Sequence, residues 1–214
     1  MTKPEIVYVF DGYCGWCWGI ADVVSRLARD FSDRFAFSAV SGGLMLGPRI
    51  GPLGDFADYI ERAIPRVEQM TGAKFSDAHM KLLRQRETIQ DSTLPAMAFS
   101  LVTKANPATN TIELAHAILK LNFDEGKVLS DADSYAELFV AFGLPEATVL
   151  ELKSRSALAG AESQFERARE MGAESFPTIV YGREGQYFPL CQGYQNYENL
   201  AHALTVLHRE PPPL

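Results

Sequence analysis

Cysteine is scarce in this chain: Cys14, Cys17 and Cys191 are the only three in 214 residues. That is too few, and odd in number, for the disulfide framework of a small extracellular domain. Basic residues are in deficit as well, with 20 Lys and Arg against 27 Asp and Glu for a formal charge of −7. No basic run stands out, which argues against a binder of nucleic-acid backbones. Long apolar stretches are also missing. Runs such as Ile6 to Phe10 fall far below the ~18 residues of a spanning helix and the ~7–15 of a secretory core. With neither a membrane span nor a leader pattern, the expected location is the cytoplasm. The four histidines, His79, His116, His202 and His208, share no ligand spacing with the cysteines. No metal site is expected from them, and His79, His202 and His208 fall on helix surfaces by pattern.

What the chain does have is apolar content: 47% of its residues are hydrophobic and 22% charged. At this length roughly 70% of the unfolded surface can be buried without staples, so one domain, or one domain with a large insertion, is expected. Ile6 to Phe10 is β-branched and aromatic throughout, which suits a strand buried on both faces of a mainly parallel sheet. From Gly15 to Phe31 the apolar residues Ile20, Val23, Val24, Leu27 and Phe31 recur at helical spacing. Phe35 to Val40 reads as a second strand, closed by Ser41-Gly42-Gly43, where glycine is ordinary turn chemistry or permits close approach of a ligand.

Between Gly47 and Met171 the texture is helical, with almost no strand candidates. The spacing predicts helices over Asp55–Met70, Asp77–Thr88, Leu94–Ala105, Thr111–Phe123, Asp131–Phe142, Pro145–Leu158 and Gly160–Met171. Ser130 offers a cap, and Pro145 suits a first turn. Strand texture then returns at Thr178–Tyr181 and Tyr187–Cys191. A last helix over Tyr197–His208 is stopped by Pro211-Pro212-Pro213. The chain reads as α/β: a βαβ…ββα domain, residues 1–50 and 172–214, interrupted by a large all-helical insertion over residues 51–171.

Cys14-Gly15-Trp16-Cys17 falls where the first strand gives way to the first helix. Unpaired N–H groups and the helix dipole favour an anion there, and a thiolate is the form of cysteine that attacks. Cys14 is the candidate nucleophile. Cys17, one turn on, is placed to resolve a mixed disulfide. The competing readings are two buried cysteines or half of a zinc site that lacks its other ligands. Trp16 is expected at the surface as part of an apolar rim, Trp18 in the core against the insertion, and Cys191 as a small hydrophobe. Ser175-Phe176-Pro177-Thr178 precedes the third strand, where a proline is ordinarily tolerated.

Taken together, Phe10-Asp11-Gly12-Tyr13-Cys14-Gly15-Trp16-Cys17-Trp18-Gly19, Phe176-Pro177-Thr178 and Gln192-Gly193-Tyr194 resemble the DsbA family of the thioredoxin-like superfamily. The likeness is to its cytoplasmic FrnE-like proteins, described as predicted protein disulfide isomerases, and it covers the whole chain. The resemblance implies a thioredoxin-like fold, thiol–disulfide oxidoreductase or isomerase activity, and Cys14 and Cys17 as the redox pair. It further implies a cis Phe176–Pro177 bond, with Gly15, Trp16, Phe176 and Pro177 at the substrate. Protein or small-molecule thiols and disulfides are the implied partners, with glutathione as a potential co-substrate, no resident cofactor and a monomer or homodimer.

Two departures matter. Relatives often carry a buried carboxylate six residues before the nucleophile. Here that position is Tyr8, and Asp11 is the nearest substitute. The Gly15-Trp16 dipeptide also lacks the histidine of strongly oxidising relatives, so a less oxidising couple is expected. Two other readings stay open. One is a glutathione-dependent isomerase or transferase of the kappa or 2-hydroxychromene-2-carboxylate isomerase type, which typically carries serine at the nucleophile position. The other is a non-catalytic module that holds client chains.

Overall fold

The computed structural model describes residues 3–212, so Pro213 of the terminal proline run lies outside the described residues. In chain order the elements begin with β1 (Glu5–Phe10), α1 (Gly15–Asp30) and β2 (Ala36–Ser41). The middle block contributes β3 (Gly51–Pro52), α2 (Gly54–Thr71), α3 (Asp77–Leu82), β4 (Ile89–Gln90), α4 (Thr93–Ala105), α5 (Thr111–Phe123), α6 (Ala136–Ala141) and α7 (Arg155–Glu170). The chain closes with β5 (Thr178–Arg183), β6 (Gln186–Gln192) and α8 (Tyr197–Arg209).

The βαβ and ββα segments meet in one four-stranded sheet of order β2-β1-β5-β6. Only β1 and β2 run parallel, Val7 opposite Ser38, whereas β1–β5 and β5–β6 are antiparallel. The expected mainly parallel sheet is thus a mixed one, because the β5–β6 hairpin turns back on itself at Glu184-Gly185, both with positive φ. Continuous apolarity in β1 reflects burial on two faces. Ile6, Tyr8 and Phe10 enter the larger core with α1, α4 and α5, while Val7 and Val9 pack with Val40, Val180, Ala168 and Met171. The exposed ladder of β2 is covered by the inserted helices: the Ala39 N–H donates to Thr111 Oγ1 at 2.9 Å and the Ser41 N–H to Gln164 Oε1 at 3.4 Å. An edge paired this way offers no ladder to another chain.

Within the insertion the structure departs from the periodicity. The segment expected to be helical through Thr88 stops at Leu82, and Ile89–Gln90 pairs with Gly51–Pro52 as a two-stranded sheet too short to give a strand pattern. The start placed at Ser130 belongs to Asp131, whose Oδ1 accepts the Asp133 N–H at 3.1 Å, and the first turn is 3-10 before α6. Pro145 opens a 3-10 stretch rather than an α-helix. Ser154, extended at φ −83°, ends it, and its Oγ accepts the Ala157 N–H at 3.1 Å to start α7. Gly160 therefore lies inside α7 and starts nothing. It faces α4, where a Cβ would collide with Ser100 Oγ. His79 is not on a surface: it is 2% exposed beneath Phe75 and Phe123, with Nδ1 3.1 Å from the Asn122 carbonyl oxygen. Amphipathic spacing misplaced it because α3 is too short to define a face.

Candidate active site

Cys14 is the N-cap of α1. Its Sγ accepts the Cys17 N–H at 3.2 Å, and its own N–H donates to the Asp11 carbonyl at 3.0 Å. A cap is usually an oxygen-bearing side chain; here sulfur takes that place, so an orphan helix N–H points at the Cys14 sulfur. Cys14 retains 6% of its surface and Cys17 none. Both are free thiols. Burial holds the Cys17 thiol well above the ordinary range, and its hydrogen bond with Cys14 and the Asp11 charge add to the effect. The two sulfurs are therefore unequal: the outer one meets solvent and a donor, and the inner one keeps its proton.

The surroundings fix this arrangement from three sides. Tyr8, at the place of the absent carboxylate, donates from its hydroxyl to the Cys17 carbonyl at 2.9 Å. Asp11 is fully buried and binds backbone: Oδ1 accepts the Tyr13 N–H at 2.9 Å and Oδ2 the Leu44 N–H at 2.7 Å. Burial raises its carboxyl above the usual range, and these bonds offset part of the rise. Asp11 thereby ties the cysteine loop to the Gly42–Met45 segment, which Ser92 holds from the other side through the Met45 N–H at 2.9 Å.

The distant loop arrives as well. The Phe176–Pro177 peptide is cis, and the Cys14 thiol donates to the Phe176 carbonyl at 3.4 Å. The Pro177 carbonyl accepts the Gly193 N–H at 2.8 Å, and Gly193 has φ 86°. This accounts for the glycine of Gln192-Gly193-Tyr194, since other residues rarely adopt that φ. The ring of Phe176 lies over Gly42, where a Cβ would collide with it. The close approach that Gly42 permits is thus to Phe176, not to a ligand.

Cys14, Gly15, Trp16 and Phe176 share one cavity of about 330 Å³, whereas Pro177 is buried behind it. Trp16 is half-buried, its ring 6.3 Å from that of Tyr194. Trp18 is half-buried against the insertion, stacking on Phe123 and donating from Nε1 to the Lys74 carbonyl at 2.9 Å. The opposite wall is α2, through Phe56, Tyr59, Ile60 and Ile64, with Arg49 and Gln90 beside it. Periodicity in α2 gave no reason to separate core from cleft, so this wall was not foreseen; Tyr59, 67% exposed, is its outermost member. Cys191 lies apart from the pair. It is buried, its thiol donates to the Gly193 carbonyl at 2.9 Å, and burial pushes it up to about 11.

A four-stranded sheet with a helix capped by the first cysteine of a CxxC, and a cis-proline loop against that cysteine, defines a thioredoxin-like protein with a dithiol site. The helical block between β2 and β5 narrows the class. The family model for the DSBA-like thioredoxin domain matches residues 5–205, and the chain belongs to that family. Among solved structures it is similar to a "putative protein disulfide isomerase" from Nitrosomonas europaea, at 23% identity and TM-score 0.82, covering 97% of this chain and 99% of that one. It is also similar to the cytosolic disulfide reductase DsbM from Pseudomonas aeruginosa, at 23% identity and TM-score 0.77, covering 96% and 99%. A 2-hydroxychromene-2-carboxylate isomerase matches at 14% identity and TM-score 0.61, covering 96% and 95%. No curated protein matches by sequence. Among the described residues no helix is long and apolar enough to cross a membrane.

Proposed function

We propose that the chain is a thiol–disulfide oxidoreductase acting on protein or small-molecule thiols and disulfides, with Cys14 as nucleophile and Cys17 as resolving thiol. The observation that carries this is the Cys17 N–H aimed at Cys14 Sγ across 3.2 Å, while Cys17 itself is fully buried. A donor facing sulfur stabilises developing thiolate charge. In one direction Cys14 attacks a substrate disulfide, forming a mixed disulfide and releasing one substrate thiolate. Cys17 then loses its proton and attacks Cys14 Sγ, releasing the second thiolate and leaving the protein oxidised by two electrons. The reverse sequence oxidises a dithiol. Isomerisation needs only the first attack and its reversal by another substrate thiol.

Phe176 and Pro177 flank Cys14, and the polar backbone of that loop suits alignment of a substrate segment. Glutathione as co-substrate and a cytoplasmic setting are supported by the relatives, since the Pseudomonas aeruginosa DsbM, a cytosolic disulfide reductase, has also been solved with GSH. Retention of both cysteines favours redox exchange over the isomerase reading. The dipeptide Gly15-Trp16 places no cation beside Cys14, so the couple is expected to lie well below the about −120 mV of DsbA.

The test is insulin reduction by dithiothreitol. Wild-type protein should accelerate it, Cys14→Ala should return it to background, and Cys17→Ala should accumulate a mixed disulfide at Cys14. Absence of acceleration by the wild type removes the reading.

A further inference from the structure

We propose that the cleft selects disulfides whose reacting half is apolar and carries a carboxylate, and that Arg49 is the specificity residue that reads this carboxylate. The inference rests on attack by Cys14 as described above, and adds to it the class of substrate admitted.

Two walls of the 330 Å³ cavity differ in chemistry. Cys14 and Phe176 come from the sheet side. Arg49 ends the 3-10 turn Gly47–Arg49 just before β3, and Gln90 on β4 pairs with Gly51, two residues after Arg49, so the two polar groups lie at the junction with the inserted block. Between them the α2 side chains Phe56, Ile60 and Ile64 form an apolar surface. The volume is that of a small-molecule site, for which apolar walls with a few convergent polar groups are typical.

Arg49 is the lone charged residue of that lining, which holds neither Asp nor Glu. The described ion pairs engage Arg26, Arg29, Arg34, Arg86, Arg167 and Arg183, and leave Arg49 out. Asp55 comes up against Gly51 on the same sheet but is not part of the lining and is not paired with Arg49. Gln90 is 8% exposed, and its side-chain amide enters no hydrogen bond among the described residues. A guanidinium fork matches a carboxylate, and an adjacent amide adds a further donor.

Charge makes the placement selective. With a formal charge of −7 the protein repels anions at long range. Arg49 is exposed at the rim of the cleft, so its attraction is short-ranged and partly screened, and it acts on an anion held in contact against the apolar wall. An anionic disulfide then gains at the cleft what a neutral one of the same shape does not. The chemistry is balanced without other reactants: Cys14 Sγ bonds to one substrate sulfur, the substrate S–S bond breaks, and one thiolate leaves. Cys17 attack then releases the second, so the disulfide takes up two electrons from the dithiol.

The experiment mixes reduced full-length protein with dithiobis(nitrobenzoate), an aromatic disulfide bearing carboxylates, or with dithiodipyridine, an aromatic disulfide without charge at neutral pH. The ratio of the two second-order rate constants for chromophore release is then compared between variants. Arg49→Ala should lower the anionic-to-neutral ratio by about two- to fivefold, the scale of one exposed charge contact. Arg49→Glu should lower it further, and added salt, which relieves the long-range repulsion in both proteins but weakens the Arg49 contact in the wild type alone, should raise the ratio more in Arg49→Ala than in the wild type. Arg209→Ala, at the end of α8, should keep the wild-type ratio. An unchanged ratio in Arg49→Ala overturns the proposal, as does an equal fall in Arg209→Ala, which would assign the preference to total charge. Failure of wild-type protein to react with either disulfide would instead remove the oxidoreductase reading itself.

Discussion

Replacing Gly42 by alanine perturbs the site at a glycine whose partner, Phe176, lies more than a hundred residues away in sequence. A Cβ on Gly42 would occupy the space of the Phe176 ring, with Cζ at 2.5 Å and Cδ1 at 2.7 Å. Contacts this short force the ring to move, and overpacking of this kind costs about 1–3 kcal/mol. Without the ring the sign reverses. Gly42 is not among the residues with positive φ, so alanine fits its backbone and stabilises by about 0.4–1 kcal/mol through the unfolded chain. Gly42→Ala should therefore destabilise the wild type yet be neutral to stabilising in a Phe176→Ala background, a coupling of about 1.4–4 kcal/mol. Urea unfolding of the four proteins reads the stability cycle. Insulin reduction reads the consequence for the site, because the displaced ring carries the Phe176 carbonyl away from Cys14 Sγ, 3.4 Å distant in the native state. An equal cost for Gly42→Ala in both backgrounds would refute the reasoning.

Other outcomes follow from the same contacts. Gly160→Ala gains up to about 1 kcal/mol of helix propensity, but its Cβ collides with Ser100 Oγ across the α4–α7 crossing. It should lower the melting temperature, and Ser100→Gly, which destabilises the wild type through lost helix propensity, should cost less in the Gly160→Ala background. Burial lowers the pKa of His79, so below about pH 6.5 the unfolded chain takes up a proton that the folded chain refuses. Stability is intact above that pH and falls as pH drops through it, by up to about 1.4 kcal/mol per pH unit. His79→Gln should flatten part of that slope in urea titrations, while His116, also lowered first by burial, keeps the remainder. Trp18→Phe loses the donor to the Lys74 carbonyl and should cost about 0.5–1.5 kcal/mol with little change in exchange rate. Parallel denaturation and insulin assays separate the two effects.

Local pattern carried the reading where the element was long or the chemistry adjacent in sequence. The run Ile6 to Phe10, the amphipathic stretch that became α1, and Cys14 to Cys17 at their junction were legible because strand, cap and helix follow one another within thirty residues. The Phe176–Pro177 loop became legible only through resemblance, since proline before a strand carries no chemical meaning by itself. The insertion resisted for identifiable reasons. Short 3-10 stretches such as Glu146–Lys153 share apolar spacing with α-helices, and a two-residue strand such as Ile89–Gln90 has no period to read. Arg49 and Gln90 come to line the same cavity as Cys14 only through tertiary packing. Asp11 could be singled out as a substitute carboxylate, but not its bond to Leu44 across 33 residues of chain.

Differential alkylation of the reduced protein, followed site by site by mass spectrometry across a pH series, tests the inequality of the two sulfurs most directly. Cys14 should be modified first and at neutral pH. Cys17 and Cys191, both pushed upward by burial, should stay protected until the solution is well above the range of an ordinary thiol. Equal labelling of Cys14 and Cys17 at neutral pH, or prior labelling of Cys17, would contradict the assignment of nucleophile and resolving thiol.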